Sequence, residues 1–440
     1  MTDFQHQAIR LTSLQRPETW LEGLRSKAAD EWLALSWPTR KTEHWKYTPL
    51  QGLQNTILHA WGREDVPILD DAIEAAAIPM DAHRIVLIDG MFDEINSTRL
   101  PDSIVRFSNA DESQRAVIQQ YLGKVIEGEQ HLFATLNNVW LDDGLLIHVP
   151  RNQVLDKPVY IVSVFTSAAV SCNQRVLVVL EENSQAQIIE HYLSVAETQQ
   201  GFANTLTEIH IGDNASLQHY RLNLEQEQAQ HIGAVHVDLH RHSRLRGFAI
   251  ALGARLMRTD YQLNHRGPGA ELDLQGIYVP RNNQMVDYHT NVCHWVPNCT
   301  SNEVFRGIVG DSAQAIFNGR IYIHPQAQKT LAELSNKNLL TSNKAEVNTK
   351  PELEIYADDV KCAHGATISQ LNTTARYYLQ SRGLSRSEAD VMLSFGFINE
   401  LLEQIAQPAV RDYLQPRLAS LFGRDNSLNE ASRLLGVGDE

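Results

Sequence analysis

From residue 144 to about 375 the chain alternates: short apolar and polar runs follow one another roughly a dozen residues apart, with no convincing helical stretch of ten or more residues between them. A period of two belongs to extended strands, whose side chains point to opposite faces in turn. "AVHVDLH" sets Val235, Val237 and Leu239 against His236, Asp238 and His240, and "GRIYIHP" sets Ile321 and Ile323 against Tyr322 and His324. Without helices between strands, βαβ units and a doubly wound sheet are excluded. What remains is a sandwich, a barrel or a coil of stacked strands. The strands are too many for one small barrel and hairpin signals such as Asn-Gly are scarce, which favours the coil. No clean repeated motif accompanies it.

The flanks have the helical period. "RPETWLEGLRSKAADEWLALSWP" spaces Trp20, Leu21, Leu24, Ala28, Trp32 and Leu35 three or four apart and stops before Pro38. A second helix is predicted over 112–125, with a strand at "HRIVLIDG" (83–90) between them. Towards the C-terminus, "SRSEADVMLSFGFINELLEQI" opens with a capping box, Ser385 to Glu388, and carries Ala389, Met392, Leu393, Phe397, Leu401, Leu402 and Ile405 on one stripe. Another helix follows Pro408, with Val410, Leu414, Leu418 and Leu421 apolar. The expected organisation is mainly β: a helical region over 1–143, a stacked-strand core over 144–375 and a helical region over 376–440.

A formal charge of -15 with no long Lys/Arg run speaks against nucleic acid or an anionic membrane as partner, since both need a basic footprint. The start "MTDFQHQAIR" has no signal-peptide pattern, and no apolar run approaches the roughly 18 residues that span a bilayer, so a cytoplasmic protein is expected. The four cysteines, Cys172, Cys293, Cys299 and Cys362, are too few and scattered for a disulfide framework.

Three segments offer metal-binding side chains. In "DDVKCAHGATISQ" Cys362 and His364 are two apart, so an extended strand points both from one face. A thiolate beside an imidazole suits a soft metal, yet two donors cannot complete a site that wants about four; a buried thiol beside a hydrogen-bonded histidine is the competing reading. "CHWVPNC" offers Cys293, His294 and Cys299 at a spacing unlike the tight knuckles of zinc sites. "HVDLHRH" puts His236, His240 and His242 on one face, which is most simply a solvated strand face. There is no phosphate loop, no G-x-S-x-G elbow and no Rossmann fingerprint, so the chain is not expected to hydrolyse ATP itself.

The stretches "DYHTNVCHWVPNCTSNEVFRGIV", "AIFNGRIYIHPQAQKTLAELSNKNLLTSNKAEVNTKPELEIYADDVKCAHGATISQL" and "YYLQSRGLSRSEADVML", with "RKTEHWKYTPL" at 40–50, resemble the SufB/SufD family of scaffold subunits of the SUF iron–sulfur cluster assembly system. The cysteine of "CAHGA" sets the chain on the SufD side, because the SufB segment typically reads more like "HEA". The resemblance implies a right-handed parallel β-helix between helical regions. It also implies a SufB partner paired through that β-helix and a SufC ATPase docked on the C-terminal helices. By the same carry-over, Cys362 and His364 lie at the contact with SufB, where a transient iron–sulfur cluster forms and none is held tightly by the isolated chain. SufB-like chains have an assembly cysteine near where this one reads "NLLTSN" (338–343) without a thiol. A non-enzymatic scaffold is therefore the first expectation. The others are a stand-alone metal-binding protein and a β-helix hydrolase or lyase with clustered carboxylates, and self-association into a homodimer is expected where the partner is absent.

Overall fold

The computed structural model describes residues 3–12, 17–54, 56, 70–125, 131–166, 171–195 and 201–422. Its centre is a parallel β-helix made of two sheets. Successive strands go to alternate sheets, so each strand's neighbours are the second before it and the second after it. Pairing is parallel and in register from coil to coil: Gln230 sits beside Leu256, and Gln314 beside Glu346. A coil therefore takes between 26 and 32 residues. That variation is why no fixed-period motif is visible in the sequence.

One corner of the coil recurs in the left-handed backbone region: Asn152, Asn183, Asn214, His242, Gly269, Asn298 and Lys329 all have positive φ. Asparagine and glycine reach that region at least cost, which explains their hold on the position. The geometry aims a backbone N–H at the following coil. Asn183 donates to the Asp213 carbonyl, Asn214 to Arg241, Asn298 to Gln328 and Lys329 to Asp359.

The strands before Glu346 bury inward side chains in one long core that runs from Ile85 to Ala357, with Val235, Val237, Leu239, Ile321 and Ile323 among them, as the alternation predicts. The outer faces are covered too. Helices Asp3–Thr12, Glu22–Ala34 and Leu132–Val139 pack through Phe4, Trp32, Phe133 and Trp140 onto Phe202, Ile232 and Leu256 of one sheet. Helices Arg386–Glu403 and Pro408–Phe422 pack through Phe395, Ile398, Leu402 and Leu414 onto Leu222, Phe248, Ile250 and Ile277 of the other. The predicted capping box is formed: the Ser385 hydroxyl accepts from the Glu388 amide at 3.2 Å. The buried stripe differs in detail, with Phe395 and Ile398 inside while Met392, Leu393 and Phe397 are half-buried. The helix expected over 112–125 ends at Tyr121. The expected strand near 83 is His83–Ile88, and it joins the β-helix by pairing with Val159–Phe165. Residues 423–440 of the expected C-terminal region lie outside the described residues. Among the described residues no helix is long and apolar enough to cross a membrane.

Both helical layers lie along the flanks of the β-helix. Among the described residues neither layer lies across its C-terminal end.

Candidate functional site

Two strands close that end. Glu346–Ile355 is the outermost strand of one sheet and Lys361–Gln370 of the other, each paired on one side only. Among the described residues their other edges, ten residues long, pair with no strand, the arrangement that invites pairing with another chain. Pro351 fits this place, because a proline inside a strand is tolerated where its missing N–H faces no neighbour. Large apolar side chains are exposed in this part of the chain: Leu331, Ile355, Tyr356 and Ile368, with Tyr377 and Tyr378 on the adjoining helix Thr373–Ser381.

Cys362 and His364 are on the last strand. In-register pairing sets Cys362 beside Ala332 and His364 beside Leu334, both of which belong to the interior core. The face that carries them is thus the inward one, as the parity of Val360 suggests. Cys362 is half-buried and packs with Val360 against the end of the core. Burial pushes its thiol above the ordinary range, with the Ala332 backbone opposing the shift. His364 is exposed and Gly365 beside it has open space around its Cα, so a metal or a partner side chain can reach the imidazole. Residues two apart on a strand are about 7 Å apart. Both side chains can therefore address one multinuclear inorganic core without touching each other. Among the described residues no group of three or more His, Cys, Asp or Glu side chains is arranged to hold a metal ion.

The other two segments are taken apart by the fold. In "CHWVPNC", Cys293 contacts the Gln262 amide at 3.6 Å, whereas Cys299 is buried in the interior core. His294 is not the turn histidine satisfied by backbone that its position suggests: its Nε2 meets Ser301 Oγ at 2.9 Å and its ring stacks on His265 at 4.1 Å. In "HVDLHRH", His236 is fully buried against His131 with ring centroids 4.7 Å apart, while His240 and His242 are exposed at the corner. They share no solvated face.

The sequence reading misses a polar seam inside the β-helix. Glu190 accepts from Tyr192 at 2.5 Å, His219 at 2.7 Å, Thr207 at 2.9 Å and Arg221 at 3.2 Å, and all are buried. Burial alone would raise the Glu190 pKa, but Arg221 and then His219 outweigh it and hold the carboxyl at about 2. Arg221 also donates to Thr205, whose hydroxyl meets His231, which pairs in turn with Glu225. The signal was parity: Glu190 and Tyr192 share the inward side with Ile188, and His219 and Arg221 share it with Leu217.

A cavity of about 280 Å³ lies on the flank, between residues 43–44 and one sheet, and four carboxylates line it. Each is paired: Glu43 and Glu352 with Lys350, Asp260 with Arg258, and Glu354 with Arg320. For Asp260, burial is overcome by Arg258 and the carboxyl is held at about 2.

The chain matches the family model described as SufBD core domain of SUF system FeS cluster assembly over residues 163–397, and the SufBD protein N-terminal region over 4–161. It is 33% identical over 415 residues to an iron–sulfur cluster assembly SufBD family protein of Synechocystis, covering 91% of this chain and 88% of that one. It is 31% identical to the iron–sulfur cluster assembly protein SufD of Escherichia coli, covering 87% of this chain and 88% of that one. With the SufD of Bacillus subtilis the identity is 25%, over 90% and 92% of the two chains.

Proposed function

Because the chain belongs to the SufBD family of iron–sulfur cluster assembly proteins, we propose that it is a non-enzymatic scaffold subunit that supplies Cys362 and His364 as its share of a composite assembly site. The rest of that site comes from a SufB-type partner docked on the open end of the β-helix. The observation that carries this reading is the coincidence of three features on the last coil. They are two strand edges unpaired among the described residues, several exposed large apolar side chains and a soft donor beside an imidazole.

The chemistry follows from the donors. The cluster is cargo, assembled and then passed on. A thiolate is a soft ligand suited to iron and sulfide, and imidazole binds iron as a neutral donor. Two donors hold a cluster weakly, which suits release. The raised thiol pKa means that Cys362 keeps its proton until a metal binds and displaces it. Docking of a partner excludes water from the inward face and surrounds the pair with the remaining ligands.

A SufC-type ATPase is proposed to dock on the C-terminal helical region. Helix Thr373–Ser381 supports this reading, because it has no buried residue and presents Tyr377 and Tyr378 to solvent. The cavity on the flank does not favour a hydrolase: its carboxylates are neutralised by Arg and Lys, and Asp260 at about 2 makes no general acid near neutral pH.

The test is anaerobic reconstitution with SufB- and SufC-type partners, iron and a sulfide source. A visible iron–sulfur chromophore in the three-component complex, absent from this chain alone, supports the composite site. A complete, fully occupied cluster on the lone chain overturns it.

A further inference from the structure

Glu303 is fully buried on strand Thr300–Val309, and both of its carboxylate oxygens lack a hydrogen-bond partner. It points inward, like Phe305 and Val309 on the same strand. On the coils before and after, its in-register neighbours are Leu274 and Leu334. From the opposite sheet the Thr290 hydroxyl is the polar group near it, and that oxygen also lacks a partner. The inward neighbours of Thr290 are Tyr288 on its own strand, Tyr261 on the coil before and Gly319 on the coil after. Both phenols are held neutral by burial. Next to Leu274 stand Leu272 and Gly276, next to Leu334 stand Ala332 and Asn336, and next to Gly319 stand Phe317 and Ile321. Among the described residues no charged side chain faces Glu303. The nearest titratable groups on its own column are His219, three coils back and engaged by Glu190, and His364, two coils ahead.

An ionised carboxylate in such surroundings has no counter-charge and at most the Thr290 hydroxyl as a donor, whose effect burial outweighs, whereas a carboxylic acid is tolerated and can donate its proton to Thr290. Glu303 lies on the third strand from the open end of its sheet, and Thr290 holds the same place in the other. Leu334 is the plug between Glu303 and the outside. It fills the space left by Gly319, where an added Cβ would come within 2.4 Å of its Cδ1.

We propose that Glu303 is a proton-binding site inside the β-helix: as a neutral acid it locks the last coils, and surrender of its proton loosens them, so that the order of the end bearing Cys362 and His364 follows pH. In the step itself the O–H bond breaks, the electron pair stays on the carboxylate and the proton leaves to solvent through the opened coils. Burial raises the group to about 7, so the change falls in the physiological range. The sign is fixed by linkage: the folded pKa lies above the ordinary 4.5, so protection of these coils is complete below about 4.5 and is lost as pH rises towards about 7. Loosening of the isolated chain does not depend on the scaffold reading; its effect on partner docking does.

The test is hydrogen exchange of the full chain across pH 5 to 8, corrected for intrinsic rates, in the wild type and in Glu303→Gln. The opening equilibrium of residues 285–370 should rise roughly 100-fold in the wild type and stay flat in the glutamine variant. Equal pH dependence in both overturns the proposal. Infrared spectroscopy gives a readout that survives if the variant folds poorly. The wild type should show a protonated carboxyl stretch that titrates with a midpoint near 7, and a chain in which every carboxyl is ionised by about pH 5.5 overturns the proposal as well.

Discussion

Leu334 stands in register between Glu303 on one side and His364 on the other, so three consecutive coils place an unpartnered carboxyl, an apolar plug and an exposed imidazole in a single inward column. The column ends in solvent. Anything that docks there meets His364 first and is separated from Glu303 by one side chain.

Replacing His364 with alanine removes an exposed donor that packs against little. Complex formation with the SufB- and SufC-type partners should persist, with melting temperature unchanged, while cluster yield falls roughly tenfold. Visible absorbance after reconstitution measures the yield, and normal yield would remove His364 from the site.

Cys362 should alkylate more slowly than a free thiol at neutral pH, because burial keeps it protonated. The rate should climb as pH rises past the ordinary thiol range. Addition of the SufB-type partner should suppress it further, which mass spectrometry of the labelled peptide can follow.

Ile355→Asp and Ile368→Asp place charges at exposed apolar positions of the two outermost strands. Each should weaken binding of the SufB-type partner by roughly 30-fold, about 2 kcal/mol, and leave the fold intact because neither side chain is buried in the isolated chain. Calorimetric titration against the partner decides it.

The buried pair Glu190 and Arg221 makes the opposite pH signature to Glu303. Glu190 is held at about 2, below the ordinary 4.5, so its contribution is present above about 4.5 and is lost as pH falls towards 2. Glu190→Gln should lower stability near neutral pH by about 3 kcal/mol, the order expected when one partner of a buried ion pair is removed. The gap to the wild type should close on acidification, as followed by denaturant titration at several pH values.

Lys329 occupies a corner with φ 58° where most other coils place asparagine or glycine and one places His242. Lys329→Gly should stabilise the chain by about 1 kcal/mol, because the left-handed backbone penalises a Cβ and the donated N–H to Asp359 is retained. An unchanged denaturation midpoint would show that the corner relaxes at no cost.

The stacked-strand core was legible because alternation survives wherever the inward residues are all apolar, as in Val235, Val237 and Leu239. It blurs where the outer face is covered as well. Strand Ser171–Leu180 is buried at every position, so its period of two disappears into a continuous run. The helical flanks were legible in period but not in which residues meet the sheet: Phe395 and Ile398 face it because of the docking angle, which sequence spacing does not contain. Cys362 and His364 were visible as a same-face pair, but not which way that face pointed, because a corner near Ala357 and Asp358 could reset the parity of Val360. Their place at an open end was not visible, since it depends on where the flanking helices lie. Glu190, Arg221 and Glu303 were missed for a different reason. Charged residues in an alternating strand read as the solvated side until neighbouring coils fix the register.

The left-handed corners tie each coil to the next through a backbone N–H that finds a carbonyl on the following coil, 27 residues on from Asn214 and 30 on from Asn183. Insertions and deletions inside strands would rotate every following side chain to the wrong wall, whereas gain or loss of one entire winding would leave the remaining windings undisturbed. Single residues are absorbed between strands, as coils of 26 to 32 residues show, while the binding terminus is carried along the axis only by whole windings, in steps of about 4.8 Å.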